Sequence, residues 1–120
     1  DSSDAITVAA ANVSRDIRAA CIANYTTSGG TTLRTARQRP EVPILSMTQN
    51  IATARKLTLS YGVNPVHITN VNTFAETVEA ATKLAAEIGL AKKGERIVLT
   101  AGVPFGTPGS TNVLRIAWVE

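Results

Sequence analysis

The sequence contains little cysteine, few aromatic residues and no long apolar run, and each shortage excludes a class of protein. Its 120 residues include a single cysteine, so no disulfide can form within the chain. That residue, Cys21, lies in the apolar run 19–23, which predicts a small buried side chain in a reducing cytoplasm. No apolar stretch approaches the roughly 20 residues that cross a bilayer, and the acidic start, Asp1 to Asp4, differs from a signal peptide. We therefore expect a cytoplasmic protein with no membrane partner.

The chain also lacks a concentrated charge of one sign. Its net charge of +3 arises from 12 basic and 9 acidic residues that are scattered along the sequence. Aromatic residues are limited to one Trp, two Tyr and two Phe. A nucleic-acid interface would need a denser basic stripe, ideally interleaved with aromatic side chains. Nucleic acid is therefore not an expected partner.

Residues that could form a reaction centre are equally scarce. His67 is the only histidine, and it lies in a predicted strand with no Asp, Glu or Cys at ligand spacing. This pattern favours a buried or edge histidine over a metal ligand or a general base. A Cys–His pair, a nucleophile elbow and a metal motif are all missing from the sequence. We predict no catalytic residue, no metal site and no cofactor in this chain, and the composition leaves open whether it forms part of an enzyme.

Apolar spacing and the positions of proline and glycine predict one α/β domain covering residues 1–120. Hydrophobic residues make up 44% of the chain, enough for one core at this size. Helices are expected at about 3–18, around 33–36, from 50 toward a stop at Gly62, and at 73–88. Strands are expected at 19–25, 44–47, 63–68, 95–101 and 111–119.

This alternation predicts a three-layer α/β/α fold with a mostly parallel five-stranded sheet and right-handed crossovers. No helix separates the last two strands, so the last strand should run antiparallel at a sheet edge, where it could pair with another subunit. Three helices carry apolar residues at helical spacing, and those of the fourth helix should point inward. The residues are Ile6, Ala9, Ala10, Val13 and Ile17 on one face of the first helix, Ile51, Ala54, Leu57 and Leu59 on the third, and Phe74, Val78, Ala81, Leu84, Ala85 and Ile88 on the fourth.

A loop rich in hydroxyl groups joins the first strand to the second helix. At such a turn, backbone N–H groups converge, hydroxyls add donors and the helix N-terminus adds partial positive charge. Plain turn and capping chemistry would produce the same composition, but a strand's carboxyl end is where open α/β sheets bind ligands. The loop is not a P-loop, since it lacks the Gly-Lys-Ser/Thr ending. We predict that it binds a phosphate through Thr26, Thr27, Ser28, Gly29, Gly30 and Thr31.

A second loop, rich in glycine and proline, follows the fourth strand, and we call it the late loop. It is longer than a tight hairpin requires, and longer loops are often functional. It is either a plain connection or a cover that folds over a ligand held by the first loop. The residues that would form the cover are Gly102, Val103, Pro104, Phe105, Gly106, Thr107, Pro108 and Gly109.

Several segments, in this order and spacing, resemble the C-terminal domain of pyruvate kinase, in a form that looks bacterial. The resemblance covers essentially the whole chain. The segments are Tyr25-Thr26-Thr27-Ser28-Gly29, Arg39-Pro40-Glu41-Val42-Pro43-Ile44, Thr53-Ala54-Arg55-Lys56-Leu57, Tyr61-Gly62-Val63, Thr100-Ala101-Gly102-Val103-Pro104, Gly106-Thr107 and Thr111-Asn112.

The resemblance implies a glycolytic parent enzyme that transfers a phosphoryl group from phosphoenolpyruvate to ADP. Such an enzyme works as a homotetramer and holds Mg and K ions at a catalytic barrel, which this sequence lacks. In the family this domain is the allosteric one. Its hydroxyl loop, matched here by Thr26, Ser28, Gly29 and Thr31, grips an effector phosphate, and its glycine-rich loop closes over the sugar.

One departure from the family pattern bears on the effector. Members activated by fructose 1,6-bisphosphate often carry a basic residue in the late loop, whereas none lies between Gly102 and Asn112 here. The resemblance therefore favours a sugar monophosphate or AMP. Two other hypotheses stay open, a structural tetramerisation module with empty loops and a free-standing protein that binds a phosphorylated ligand.

Overall fold

The structure, a computed structural model, describes residues 2–102 and 111–120. Helices and strands alternate within these residues, as the spacing of apolar residues predicts. The helices are α1 (Ser2–Ile17), α2 (Gly30–Arg37), α3 (Ile51–Leu57) and α4 (Phe74–Glu87). The strands are β1 (Cys21–Tyr25), β2 (Ile44–Thr48), β3 (Val63–His67), β4 (Arg96–Ala101) and β5 (Val113–Trp118).

The strands form one sheet in the order β3-β2-β1-β4-β5. β1 pairs in parallel with β2 and β4, and β2 pairs in parallel with β3. β5 runs antiparallel to β4 at the edge, with Thr100 opposite Leu114. The predicted fold class is therefore confirmed, including the direction and edge position of the last strand.

The two faces of the sheet are covered by different helices. On one face, α4 packs against the odd-numbered side chains of β1 and β4, such as Cys21 and Leu99. On the other face, α1 packs over Ile22 and Val98 and also contacts α2. The central strands are buried on both faces, because parallel sheets of this kind carry helices on both sides. None of the helices in the described ranges is both long and apolar enough to span a membrane.

The apolar face predicted for α1 is only partly buried. Of the five expected residues only Ala10 is fully buried, while the larger apolar side chains are half-buried along the flank of the helix. Small side chains allow the helix axis to come close to the sheet, and two of them bond to the preceding turn. The buried residues of α1 are Ser3, Thr7, Ala10, Ala11 and Ser14.

The third and fourth helices correct two further predictions. α3 begins after Asn50, whose side-chain oxygen accepts hydrogen bonds from Ala52 N (3.0 Å) and Thr53 N (3.3 Å). It ends at Leu57, so Leu59 lies beyond the helix and is 91% exposed. At the end of α4, Ile88 is also exposed. Periodicity assigned Leu59 to the third helix, with a stop at Gly62, and Ile88 to the inner face of the fourth, because it does not locate the last helical turn.

Candidate functional site

The predicted phosphate-binding loop, residues 26–31, is called the phosphate loop and lies at the carboxyl end of the central strand β1. The chain leaves β1 through α2 toward β2, whereas β4 lies on the other side of β1. The gap between β1 and β4 is therefore the point at which the strand order reverses, the usual ligand position in an open α/β sheet. Gly102, the first residue of the predicted cover, directly follows β4 at the same edge. Topology thus brings the starts of both predicted loops together.

The phosphate loop closes on itself through two hydroxyl groups. Gly29 N–H donates to Thr26 Oγ1 at 2.9 Å, and Gly30 N–H donates to Ser28 Oγ at 3.3 Å. Gly29 adopts φ +93° and precedes the first turn of α2, where N–H groups lack acceptors within the helix. Both hydroxyl oxygens act as acceptors in these bonds, so their own protons remain able to donate to an anion.

Thr31 differs from the other predicted loop residues because its hydroxyl group is already engaged. Its Oγ1 shares a hydrogen bond with Thr111 Oγ1, and Thr111 N–H donates to Ser3 Oγ at 3.1 Å. The described chain therefore resumes, after the late loop, directly beside the phosphate loop. The predicted cover residues Val103, Pro104, Phe105, Gly106, Thr107, Pro108 and Gly109 lie outside the described residues.

Two side chains of the helix α3 donate hydrogen bonds to the loop, and the sequence analysis did not predict these contacts. Thr53 Oγ1 donates to the carbonyl oxygen of Thr27 at 2.7 Å, and Lys56 Nζ donates to that of Ser28 at 3.3 Å. A Cβ on Gly29 would lie 3.4 Å from a methyl group of Leu57. The signal was present, since Thr53 and Lys56 are three residues apart on the helix that follows the neighbouring strand.

Positive charge therefore lies at the loop itself. Besides Lys56, Arg34 of α2 approaches the loop, with its Nη1 3.5 Å from the position that a Cβ on Gly30 would take. Arg34 is held by Asp4, with Nε 3.2 Å from Oδ1. Lys56 and the N-terminus of α2 favour a negatively charged ligand, whereas the charge of Arg34 is offset by Asp4.

A buried layer of polar side chains fixes the position of α2 beneath the loop. Thr32 Oγ1 and Ser46 Oγ are 2.7 Å apart, and Thr35 Oγ1 donates to the Thr31 carbonyl at 2.9 Å. In the same layer, Asn24 Nδ2 donates to Thr100 Oγ1 at 2.7 Å. Of these bonds, the Thr32–Ser46 pair joins α2 to β2, and the other two lie within α2 and between β1 and β4. Asn24 Oδ1 is buried and has no hydrogen-bond partner within the described residues.

His67 and Cys21 were the other residues considered as catalytic or metal-binding candidates. His67 is exposed at the end of edge strand β3, with Nε2 3.0 Å from the Gln49 carbonyl oxygen. Cys21 is fully buried. Within residues 2–102 and 111–120, no group of three or more His, Cys, Asp or Glu side chains could hold a metal ion.

A groove of about 840 Å³ lies away from the phosphate loop, near the amino end of β2. Its walls come from the end of α2, the connection to β2 and the turn before β3. They combine apolar side chains with two arginines, and Tyr61 at the rim is fully exposed. The lining residues are Leu33, Ala36, Arg37, Arg39, Pro40, Val42, Ile44, Ser60, Tyr61 and Gly62.

We expect Gly29→Ala and Gly62→Ala each to lower the free energy of unfolding by about 1 kcal/mol, measured by urea denaturation. Both glycines have left-handed φ angles, +93° and +76°, which cost an L-residue energy wherever they occur. Gly62 has open space around its Cα, so Gly62→Ala measures the cost of the φ angle alone. A methyl group at Gly29 would in addition contact Leu57 and Thr53. A neutral Gly29→Ala would contradict the left-handed conformation of the loop.

Comparison with known proteins identifies the family of this chain. Residues 4–117 match the family model described as "Pyruvate kinase, alpha/beta domain". The chain is 43% identical over 112 residues to a pyruvate kinase of Agrobacterium vitis, covering 93% of this chain and 24% of that protein. It is 39% identical over 113 residues to the pyruvate kinase of Geobacillus stearothermophilus, covering 94% and 19%.

A solved structure agrees with these sequence matches. The structure of Cryptosporidium parvum pyruvate kinase in complex with ADP superposes with a TM-score of 0.90 at 26% identity, covering 100% of this chain and 24% of that one. The chain thus spans about a quarter of the length of the relatives that it matches.

Proposed function

The chain belongs to the pyruvate kinase family, and from this premise we propose that it is a regulatory and subunit-association domain that binds a phosphorylated effector. The parent reaction would be the glycolytic transfer of a phosphoryl group from phosphoenolpyruvate to ADP. The observation that carries the proposal is the loop at residues 26–31, where hydroxyl donors, a helix N-terminus and Lys56 converge beside the sheet's switch point.

The effector phosphate would contact the hydroxyls of Thr26 and Ser28 and the first N–H groups of α2. Ser28 is exposed, so its hydroxyl proton is accessible to a ligand. Thr26 is buried beneath it and holds the loop closed through Gly29. Thr27, Gly30 and Thr31 would complete the predicted set, with Thr31 joining the site to the residue that follows the late loop.

The class of effector follows from where the cations lie. Lys56 lies at the phosphate loop, and the late loop contains no Lys or Arg. One phosphate group therefore has a cation beside it, and a second phosphate at the other end of the ligand lacks one. We favour a sugar monophosphate or AMP over a bisphosphate.

The proposed partners are the catalytic barrel of a longer polypeptide and further copies of this domain in a homotetramer. β5 supports the second partner, because an antiparallel edge strand with exposed Ile116 and Trp118 offers unpaired backbone groups and apolar surface. Mg and K ions would be held by the barrel of the parent enzyme, as the family resemblance implies.

Regulation would follow from unequal affinity of the effector for two states of the assembly. A ligand shifts such an equilibrium only as far as its affinities for the two states differ. Ordering of both loops in one state would supply that difference, and contacts between subunits and domains would carry it to the barrel. Equal affinity for active and inactive tetramers would rule out this mechanism.

The test is a calorimetric and thermal-shift titration of the chain with ribose 5-phosphate, glucose 6-phosphate, AMP, fructose 1,6-bisphosphate and inorganic phosphate. We expect saturable binding of a monophosphate and a loss of about tenfold in affinity for Ser28→Ala, since one charge-assisted hydrogen bond contributes about 1.5 kcal/mol or more. Ser60→Ala, in the turn between α3 and β3, is the matched control and should bind normally.

Three results would contradict a part of the proposal. No response to any ligand would overturn effector binding and support a structural tetramerisation module. Binding that is unchanged in Ser28→Ala would place the phosphate elsewhere. Effector binding without any association into oligomers would favour a free-standing protein that binds a phosphorylated ligand.

A further inference from the structure

Two side chains of α3 bond to consecutive carbonyl groups of the phosphate loop. Thr53 Oγ1 donates to Thr27 O at 2.7 Å, and Lys56 Nζ donates to Ser28 O at 3.3 Å. The hydroxyl-bearing residue is buried, whereas Lys56 is exposed at the loop's outer side. Neither bond is needed for α3 itself, whose cap is formed by Asn50. The two bonds therefore act on the loop.

Their effect follows from the geometry of the peptide unit. In a trans peptide the C=O and the next residue's N–H point in opposite directions within one plane. Holding the Thr27 carbonyl on α3 turns the N–H of Ser28 away from α3. Holding the Ser28 carbonyl does the same for Gly29 N–H, which donates to Thr26 Oγ1 at 2.9 Å. That bond in turn leaves the Thr26 hydroxyl proton as a donor.

We propose that Thr53 and Lys56 are positioning residues of the effector site, which set the direction of the donors at Thr26 and Ser28 before the phosphate arrives. This inference rests on the proposed function, because it assumes that the phosphate binds at this loop. Preorganised donors bind an anion more tightly, since no reorientation of the loop accompanies binding. Lys56 has a second role, because its charge lies next to the loop and attracts the doubly charged form of a phosphate.

The proposal distinguishes the two residues by what each contributes. Thr53 acts only through its hydroxyl group, so its contribution is independent of ionic strength. Lys56 acts partly through charge at an exposed position, so its contribution weakens as salt is added. A merely structural role for α3 would give neither pattern.

The experiment is a titration of the chain with inorganic phosphate and with ribose 5-phosphate at low and high salt. Binding is monitored by the amide signals in NMR spectra. Thr53→Val keeps the shape of the side chain and removes the hydroxyl, and Thr53→Ser keeps the hydroxyl. We expect about tenfold weaker binding for Thr53→Val and near-normal binding for Thr53→Ser. Lys56→Met should weaken binding severalfold at low salt and less at high salt, whereas Lys83→Met, on α4 across the sheet, should not.

The outcomes separate this inference from the proposed function. Wild-type binding that Thr53→Val and Lys56→Met leave unchanged would overturn the positioning role while the proposed function stands. Equal loss in Thr53→Val and Thr53→Ser would also overturn it, because a packing defect would then explain both. No binding by the wild-type chain would overturn both the proposed function and this inference.

Discussion

Leu99→Ala is expected to lower the free energy of unfolding by about 3 to 5 kcal/mol, measured by urea denaturation with a spectroscopic probe. Leu99 is fully buried in β4, in the cluster that lies beneath α4. Its truncation removes apolar surface from the core and leaves a cavity that strands paired on both sides cannot close. Since small domains are stable by only about 5–15 kcal/mol, this single change would remove a large fraction of the total.

Leu59→Ala provides the matched control for this prediction. The chemical change is the same, but Leu59 is 91% exposed beyond the end of α3. We expect a change within about 0.5 kcal/mol, as for other surface positions. Similar losses at the two positions would contradict the assignment of Leu99 to the core.

Cys21 is expected to resist alkylation in the folded protein at pH 8 by about a thousandfold relative to the unfolded chain. Burial raises the pKa of the Cys21 thiol from its ordinary value of 9.0 to about 12, and the nearby charge of Glu95 adds to the effect. Only the thiolate reacts, and three pKa units reduce its population about a thousandfold. The measurement is the rate of iodoacetamide labelling with and without denaturant, read by mass spectrometry. Rapid labelling of the folded chain would contradict the buried position.

The same pKa shift makes stability depend on pH at the alkaline end. Because the folded state keeps its proton up to about pH 12, the contribution of Cys21 is complete below pH 9. Between pH 9 and 12 the unfolded state loses its proton first, so stability falls by about 1.4 kcal/mol per pH unit. Cys21→Ala should show a shallower decline over this range, and identical pH profiles would contradict the shift.

Most of the architecture could be predicted from local sequence. The continuous apolar run in β4 indicates a strand buried on both faces, and Gly89, with positive φ, follows the end of α4 where a stop was predicted. The sequence between the last two predicted strands carries no helical pattern, and this was enough to predict the antiparallel edge. These features depend on near neighbours in the chain, so they leave a readable pattern.

Features that depend on distant neighbours were harder to predict. The inner face of α1 consists of Ser3, Thr7 and Ser14 alongside alanines, because close approach to the sheet favours small side chains over the more apolar ones. The end of α3 at Leu57, before the predicted stop at Gly62, was missed for a different reason, because periodicity does not locate the last helical turn. Hydropathy measures the cost of exposing a side chain, but it does not measure the space available for it.

By itself, the sequence determined the succession of strands and helices along the chain, the hydroxyl-rich composition of the phosphate loop and the resemblance to the pyruvate kinase family. Only the tertiary structure decided which side chains surround that loop: Thr53 and Lys56 from α3, Arg34 from α2 and Thr111 from beyond β4. Strand and turn propensities act over a few residues, whereas a binding site is assembled by the crossovers that bring β1, β2 and β4 side by side.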